Sequence, residues 1–418
     1  MAEARHHKIL IVGGGAAGIT VAASLKRHGV RAADIAIIEP SETHYYQPAF
    51  TLVGAGVYDL ARTRRTTDSL VPPGIARIKA AASKFDPERK TVELSSGETI
   101  GYDYLVVCTG IKLDLGKVEG LAEALGHDGV CSNYSPDHVN YTWACIKALK
   151  PGNKAVFTQP ALPFKCPGAP QKIVYLTIDY LKRMGIRDKV EVEYFVHAPV
   201  IFGVPYFARR LAKIAEDLGV KVSYLHNLVA VDAKAKTATF EIVSGDKQGQ
   251  KVNVPYDMLH VSPPQSPPEA IKSSPLANAA GFVEVNQNSM QHVRYPNIFA
   301  LGDVASTPNS KTAAAVRKQA PVVVRNLLRL MRGETAEAGY DGYASCPLTT
   351  ANGKAIIAEF IYGGKVTPTL PVLDPGKQRW LSWWIKTSFL PVLYWNYMLQ
   401  GHEWFPRHNT AFKEPAAD

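Results

Sequence analysis

The chain has 418 residues, is 46% hydrophobic and 20% charged, and carries a formal net charge of +10. That size and composition describe a globular protein of two or three domains and exclude disordered or fibrous classes. The basic balance suits an anionic membrane or anionic substrates, and with no basic run or nucleic-acid motif beside it, nucleic acid is excluded as a partner. Five scattered cysteines, an odd number, argue against a disulfide framework and for one or two working thiols in a reducing compartment. No metal site is expected. No apolar leader precedes the first strand, so export by that route is not expected.

Lys8 to Val12 is a short apolar run rich in β-branched residues. Gly13-Gly14-Gly15-Ala16-Ala17-Gly18 follows, then a helical stretch from Ile19 to His28. A second apolar run, Ile35 to Ile38, ends in Glu39 and Pro40. This is strand, G-x-G-x-x-G, helix, strand, acid. Gly13 allows the tight turn, Gly15 lets the backbone approach a pyrophosphate, and Gly18 lets helix and strand pack closely. The helix start, with Ala16 and Ala17, offers free N–H groups to phosphate. Glu39, roughly 20 residues beyond the loop, stands where a carboxylate meets a ribose hydroxyl. The motif predicts a dinucleotide site; a glycine-rich turn in another α/β fold is the alternative.

An aromatic loop, His44-Tyr45-Tyr46-Gln47-Pro48, comes next, then a basic stretch with Arg62, Arg64 and Arg65. Ile75 to Ala82 reads as a strand. Thr91 to Leu94 and Glu98 to Ile100 flank Ser95-Ser96-Gly97 as a hairpin. Tyr102 to Cys108 reads as a further strand ending at Thr109-Gly110. Pro40, Gln47, Ala82, Thr109 and Gly110 join the candidate cofactor contacts.

Pro136 to Leu149 is predicted helical and Lys154 to Thr158 extended. Where a second nucleotide-binding unit would carry glycines, the chain reads Gln159-Pro160-Ala161-Leu162-Pro163-Phe164-Lys165-Cys166-Pro167-Gly168-Ala169-Pro170. A helix, Gln171 to Met184, and a strand, Val190 to Val196, follow. The rhythm repeats without the phosphate cradle, so no nicotinamide site is expected. Tyr102-Asp103-Tyr104-Leu105-Val106-Val107 has an echo in Tyr256-Asp257-Met258-Leu259-His260-Val261, as a duplication would leave. Cys166, beside Lys165 and ahead of a helix, is placed to be a thiolate. Cys108 and Cys145 read as packing residues.

Asn297 to Leu301 is a strand ending in Gly302-Asp303. Ser310-Lys311-Thr312 then leads a helix running through Met331. An acid at such a strand end bonds the ribityl hydroxyls of a flavin, and the helix start faces its electron-rich edge. Beyond residue 340 the character changes. Two short strands are expected near Lys354 to Tyr362. Arg379 to Leu399 is dense in tryptophan and tyrosine but holds Lys386 and Pro391. It is read as two short helices joined near Pro391, lying in a membrane interface beside Lys377, Arg379 and Arg407. A contact in a homo-oligomer is the other use of such a surface. Phe360, Tyr362, Phe389 and Trp395 are the candidate lining for a flat, apolar electron acceptor.

The glycine loop, His44 to Gly56, Phe164 to Lys172, Gly302-Asp303, Ser310 to Val316 and Tyr343-Ala344-Ser345-Cys346-Pro347-Leu348 together resemble the sulfide:quinone oxidoreductase family, in order and over nearly the whole chain. The resemblance implies two Rossmann-like α/β units with a C-terminal α+β membrane region. The boundaries are 1–130 with 285–335 for FAD, 131–284 for the second unit, and 336–418 for the quinone and membrane region. It implies FAD held by Gly13, Gly15, Gly18, Glu39, Asp303, Lys311 and Thr312. It implies sulfur taken up at Cys166, electrons passed to quinone, and a small thiol or other sulfur acceptor as partner. Its setting would be peripheral, on the cytoplasmic face of a bacterial membrane or on the mitochondrial inner membrane of a eukaryote. By the same resemblance a second working cysteine should follow Gly302-Asp303, where this chain has Val304. Cys131 is taken as its substitute, with Cys346 as a further candidate. Cys166 acting alone, a sulfur-holding flavoprotein without sulfide turnover, and an NAD(P)H:quinone oxidoreductase are the other readings.

Overall fold

Two sheets carry the molecule, the first mixed and the second parallel. The computed structural model describes residues 5–370 and 373–403, so Arg407 lies outside the described residues. The first sheet runs in the order Ala76–Ile78, Ile35–Ile38, His6–Val12, Thr99–Val107, Thr91–Leu94, Ala82–Asp86. Ile9 to Val12 and Ile35 to Ile38 are buried without alternation, as strands covered on both faces must be. The region predicted as a hairpin arm and a separate strand is one strand, Thr99–Val107. Its first half pairs antiparallel with Thr91–Leu94 and its second half parallel with Ile298–Ala300. The chain therefore returns to the first sheet after building the second. The stretch read as one strand from Ile75 to Ala82 is two, Ala76–Ile78 and Ala82–Asp86, on opposite edges of that sheet.

The second sheet runs in the order Val130–Cys131, Met258–His260, Lys154–Gln159, Glu191–Val196, Lys221–Tyr224. Leu105 faces Leu10 in the first sheet, and Leu259 faces Val156 in the second. The two Tyr-Asp echoes thus occupy equivalent registers beside the opening strand of each unit. A three-stranded antiparallel meander, His226 to Pro255, is appended.

The C-terminal part pairs Ala344–Ala351 with Lys354–Phe360 as an antiparallel hairpin. One of the two strands expected near Lys354 to Tyr362 thus lies before that stretch. Trp380 to Met398 is helical throughout, alternating α and π turns, rather than two helices broken at Pro391. The missing N–H of Pro391 falls in the first turn after the π segment Ile385–Phe389, where the hydrogen-bond pattern changes. Among the described residues no helix is long and apolar enough to cross a membrane.

Candidate active site

The glycine loop does what its spacing requires. Gly13 has φ +105°, and a Cβ there would stand 2.4 Å from the Cys108 carbonyl oxygen. A Cβ on Gly18 would stand 1.9 Å from the Gly13 carbonyl oxygen, so helix Ala16–Arg27 can close on the first strand only with glycine there. At Gly15 a Cβ would meet nothing within 4 Å, which leaves that backbone open to a ligand. Both Glu39 oxygens are engaged by backbone, from Gly14 N–H at 2.7 Å and Ser41 N–H at 2.7 Å. The acid thus fastens the loop as well as facing the cavity.

That cavity has a volume of about 730 Å³. Gly14, Gly15, Ala16, Ala17, Glu39, Gln47, Thr109, Gly110, Gly302, Asp303, Lys311 and Thr312 all stand on its wall, as does Cys166. Gly13 and Gly18 act behind the wall, through the close approaches above. Pro40 and Ala82 are not on it. Pro40 precedes the Ser41 turn, and Ala82 opens an edge strand paired to Leu94.

Asp303 is half-buried, and desolvation raises its carboxyl against the pull of Lys311 and Lys165. Burial likewise lowers Lys311 to about 8, and its Nζ donates to the carbonyls of Ala305 and Thr307. Thr312 caps helix Ala313–Met331, its hydroxyl accepting from Ala315 N–H at 3.1 Å. The free N–H groups of that helix therefore open on the cavity. Thr109 Oγ1 and Asn133 Nδ2 are buried on the wall with no partner among the described residues. A bound group with polar atoms would satisfy both. An open glycine loop, a helix start and orphaned polar atoms around one elongated cavity fit a flavin dinucleotide.

The Cys166 loop is sewn to the Lys311 segment, with Cys166 N–H donating to the Lys311 carbonyl at 2.8 Å. Cys166 has φ +51°, a conformation rare outside glycine. Helix Ala169–Arg183 begins just beyond and packs on strand Ala344–Ala351. That packing brings Cys346 Sγ to 3.8 Å from Cys166 Sγ. Gly168 makes the approach possible: a Cβ there would lie 2.5 Å from Leu348 Cδ2 and 3.2 Å from Cys346 Sγ.

Lys172 Nζ donates to Cys166 Sγ at 3.3 Å. The Cys346 thiol, then Lys172 and Lys386, hold Cys166 well below the ordinary thiol range despite burial. The Cys166 contact and burial push Cys346 well above it. The pair is thus a thiolate accepting from a thiol. Burial opposes charge on Lys172, but Cys166, then Cys346, overcomes it and keeps Lys172 high. Lys386 is pushed down to about 7 by burial, then by Lys172, and donates to the Pro48 carbonyl at 3.2 Å.

Cys131 is not brought to Cys166. It lies fully buried in the second core, where burial, then Cys145, pushes its thiol far up. Cys108 ends the core strand as expected, with burial raising its thiol. Val304 is fully buried in the first core. A side chain there packs under the sheet, and the thiol beside Cys166 comes from a different strand.

Of the four quinone candidates, only Phe389 is on the cavity wall. Strand alternation explains Phe360: Ile357 and Glu359 face the cavity, while Phe360 turns inward onto Phe202. Tyr362 packs edge-on against Tyr340 and donates to the Gln287 carbonyl. Trp395 packs against His44 and under Arg65, leaving its neighbour Tyr394 on the wall. The apolar end of the cavity is instead Ile385, Phe389, Leu390 and Leu393, with Leu370 and Leu373. Sequence reasoning passed over Lys172 and Lys386 as site residues. Their signal was a lysine inside an apolar helical run, placed where only a charged partner justifies it.

A family profile described as pyridine nucleotide-disulphide oxidoreductase matches residues 7–137. The mitochondrial sulfide:quinone oxidoreductase of Dictyostelium discoideum is 45% identical over 406 residues, covering 97% of this chain and 88% of the relative. The enzyme of the same name from Mus musculus is 42% identical, covering 95% and 87%. The crystal structure of the sulfide:quinone oxidoreductase from Aquifex aeolicus shares the fold, with a TM-score of 0.78 at 23% identity over 96% of this chain and 92% of that one. The protein is an FAD-dependent flavoenzyme, and it belongs to the sulfide:quinone oxidoreductase family.

Proposed function

We propose that the protein oxidises hydrosulfide at the Cys166–Cys346 pair and passes the electrons through FAD to a membrane quinone. The carrying observation is the two sulfurs 3.8 Å apart with Lys172 at 3.3 Å from Cys166, on the wall of a cavity that also reaches the aromatic C-terminal helix. With the pair oxidised to a disulfide, hydrosulfide attacks one sulfur, the S–S bond breaks, and one cysteine becomes a persulfide. The leaving sulfur is Cys166, because Lys172 and Lys386 favour its thiolate and it alone of the two faces the cavity. Its released electron pair is then next to the FAD site. FAD, when bound, supplies a two-electron sink that quinone later empties. The sulfane sulfur on Cys346 passes to a small nucleophilic acceptor, which leaves both cysteines as thiolates, and the Cys166–Cys346 bond re-forms as their two electrons leave to that sink. The buried lysines also draw the hydrosulfide anion inward.

Trp380, Leu381, Trp384 and Val392 are exposed along the outer side of the C-terminal helix, and Trp384 stacks on Phe389 at 5.9 Å. Large exposed aromatics on one helix mark peripheral attachment to a membrane interface, beside the apolar end of the cavity. The test is Cys346→Ser in the FAD-loaded protein. Sulfide should then no longer bleach the flavin, whereas Cys131→Ser should leave bleaching intact. Bleaching that survives in Cys346→Ser and fails in Cys131→Ser would reverse the assignment.

A further inference from the structure

Trp380, Trp384, Ser388, Val392 and Asn396 are exposed at intervals of four residues. Alternating α and π turns average about four residues each, so these positions form one outward stripe along the C-terminal helix. At the end of that stripe Trp395 is half-exposed, and the Arg65 guanidinium lies over its ring at 4.9 Å. Arg65 belongs to the short strand Arg64–Thr66, which among the described residues pairs only with Thr43–Tyr45 and so has a free edge. Arg62 lies just before that strand, over the Tyr58 ring at 4.4 Å. All three arginines are exposed, and none forms an ion pair among the described residues. The acids close to them in the chain are engaged elsewhere. Glu42 and Asp68 pair with Arg77 and Lys79, and Asp59 is turned back onto the Ala61 N–H at 2.8 Å. His44 stands opposite Arg65 in the strand register, and its ring is bonded to the Tyr394 hydroxyl at 2.6 Å, so the ribbon is tied to the helix.

We propose, resting on the membrane attachment inferred above, that Arg62, Arg64 and Arg65 bind the phosphates of an anionic phospholipid bilayer as a cationic flank to the aromatic stripe. A guanidinium matches phosphate oxygens two at a time. Stacking on Trp395 and Tyr58 steadies two of the three guanidinium groups without neutralising them. Strand alternation sends Arg64 and Arg65 to opposite faces of the ribbon. The three still stand within a few residues of one edge, close enough to act together over the ~10 Å that a field survives at 0.1 M salt. The aromatic rings enter the interface by their apolar bodies, and the arginines add an attraction set by lipid charge. A contact at the end of the helix as well as along it fixes how the protein lies on the surface.

The experiment is co-sedimentation of the FAD-loaded protein with vesicles of phosphatidylcholine alone, or with about one-third phosphatidylserine, at about 0.1 M salt. The unsubstituted protein should bind the anionic vesicles on the order of a hundredfold more tightly than the neutral ones, and high salt should erase the difference. Arg62→Gln, Arg64→Gln and Arg65→Gln together should lose most of that preference while binding neutral vesicles within about twofold of the unsubstituted protein. Lys234→Gln, Lys247→Gln and Lys251→Gln together remove the same charge from exposed positions in and around the antiparallel meander and should keep the preference. Equal loss in both triple variants overturns the proposal, because net charge would then suffice. A preference that survives the arginine triple overturns it too. Should that triple fold poorly, Arg62→Gln with Arg64→Gln leaves the Arg65–Trp395 stack in place and should lower the preference on the order of twentyfold; an unchanged preference there overturns the proposal. Calorimetric titration with inorganic phosphate should show no saturable binding, and binding that the arginine triple abolishes would overturn the bilayer as the occupant. Equal binding of the unsubstituted protein to both vesicles sinks this proposal alone, whereas binding to neither sinks the membrane reading as well.

Discussion

At the scale of single residues, the site works by pairing each buried charge with a group that needs it. Lys172 and Lys386 are almost fully buried, at 2% and 4% exposure, which is costly unless a negative charge compensates. Cys166 supplies that charge, and the lysines in turn keep it a thiolate at neutral pH. Replacing Lys172 with methionine should therefore move the pH profile of Cys166 alkylation upward and slow alkylation on the acid side of that profile. Rates measured with iodoacetamide across pH check this; an unmoved profile contradicts the role given to Lys172. Cys166 was legible from its loop alone, because a cysteine beside a lysine ahead of a helix has a local electrostatic meaning. Cys346 carries no such local mark. Its place beside Cys166 comes from a helix packing on a strand far along the chain, and only the Tyr343 to Leu348 resemblance pointed to it.

Elements set distances that residues alone cannot. Gly168 holds the helix Ala169–Arg183 close enough to strand Ala344–Ala351 for the sulfurs to meet. In Gly168→Ala the new methyl meets Leu348 and Cys346, so the strand must move. Sulfide-driven flavin reduction should fall at least tenfold while FAD stays bound, because the nucleotide cradle is elsewhere. Loss of FAD with the activity would contradict this separation; absorbance of the purified variant decides it. The C-terminal helix makes a second separable claim. Trp380→Ser with Trp384→Ser removes two exposed aromatics. Co-sedimentation with liposomes should drop several-fold while turnover with a soluble quinone persists. The aromatic density of this stretch was readable in the sequence, but its continuity through Pro391 was not, since a π turn leaves no compositional trace. Phe360 failed as a quinone contact for a related reason. Its composition fits, and only strand register decides that Ile357 and Glu359 face the cavity instead.

For the whole molecule, the glycine loop and the repeated strand–helix–strand rhythm made the two-unit α/β architecture readable, because parallel sheets require buried strands and fixed turns. From its own residues Ile298–Ala300 was readable only as a strand ending in Gly-Asp; it was the resemblance that grouped 285–335 with 1–130. Two buried histidines, His44 on the cavity wall and His260 in the second sheet, give the whole fold a common sensitivity. Burial lowers His44 to about 4 and His260 to about 3. Their folded values lie below the unfolded 6.5, so the unfolded chain binds more protons as the solution is acidified. Stability is complete above pH 6.5 and is lost as pH falls toward 4, by on the order of 3 kcal/mol for each histidine. Urea midpoints measured between pH 7 and 4 should fall, and less steeply in His260→Gln; a flat profile would contradict the burial of these rings as neutral groups.

The central claim is a path from hydrosulfide through a cysteine pair and FAD to quinone, and one anaerobic titration tests it most directly. Sulfide is added to the purified protein while the flavin band is followed, then a soluble quinone is added. The account predicts bleaching by sulfide, no bleaching by NADH, and recovery of the band on quinone. A flavin that sulfide leaves oxidised, in protein with FAD bound and the Cys166–Cys346 pair oxidised to the disulfide, would contradict it.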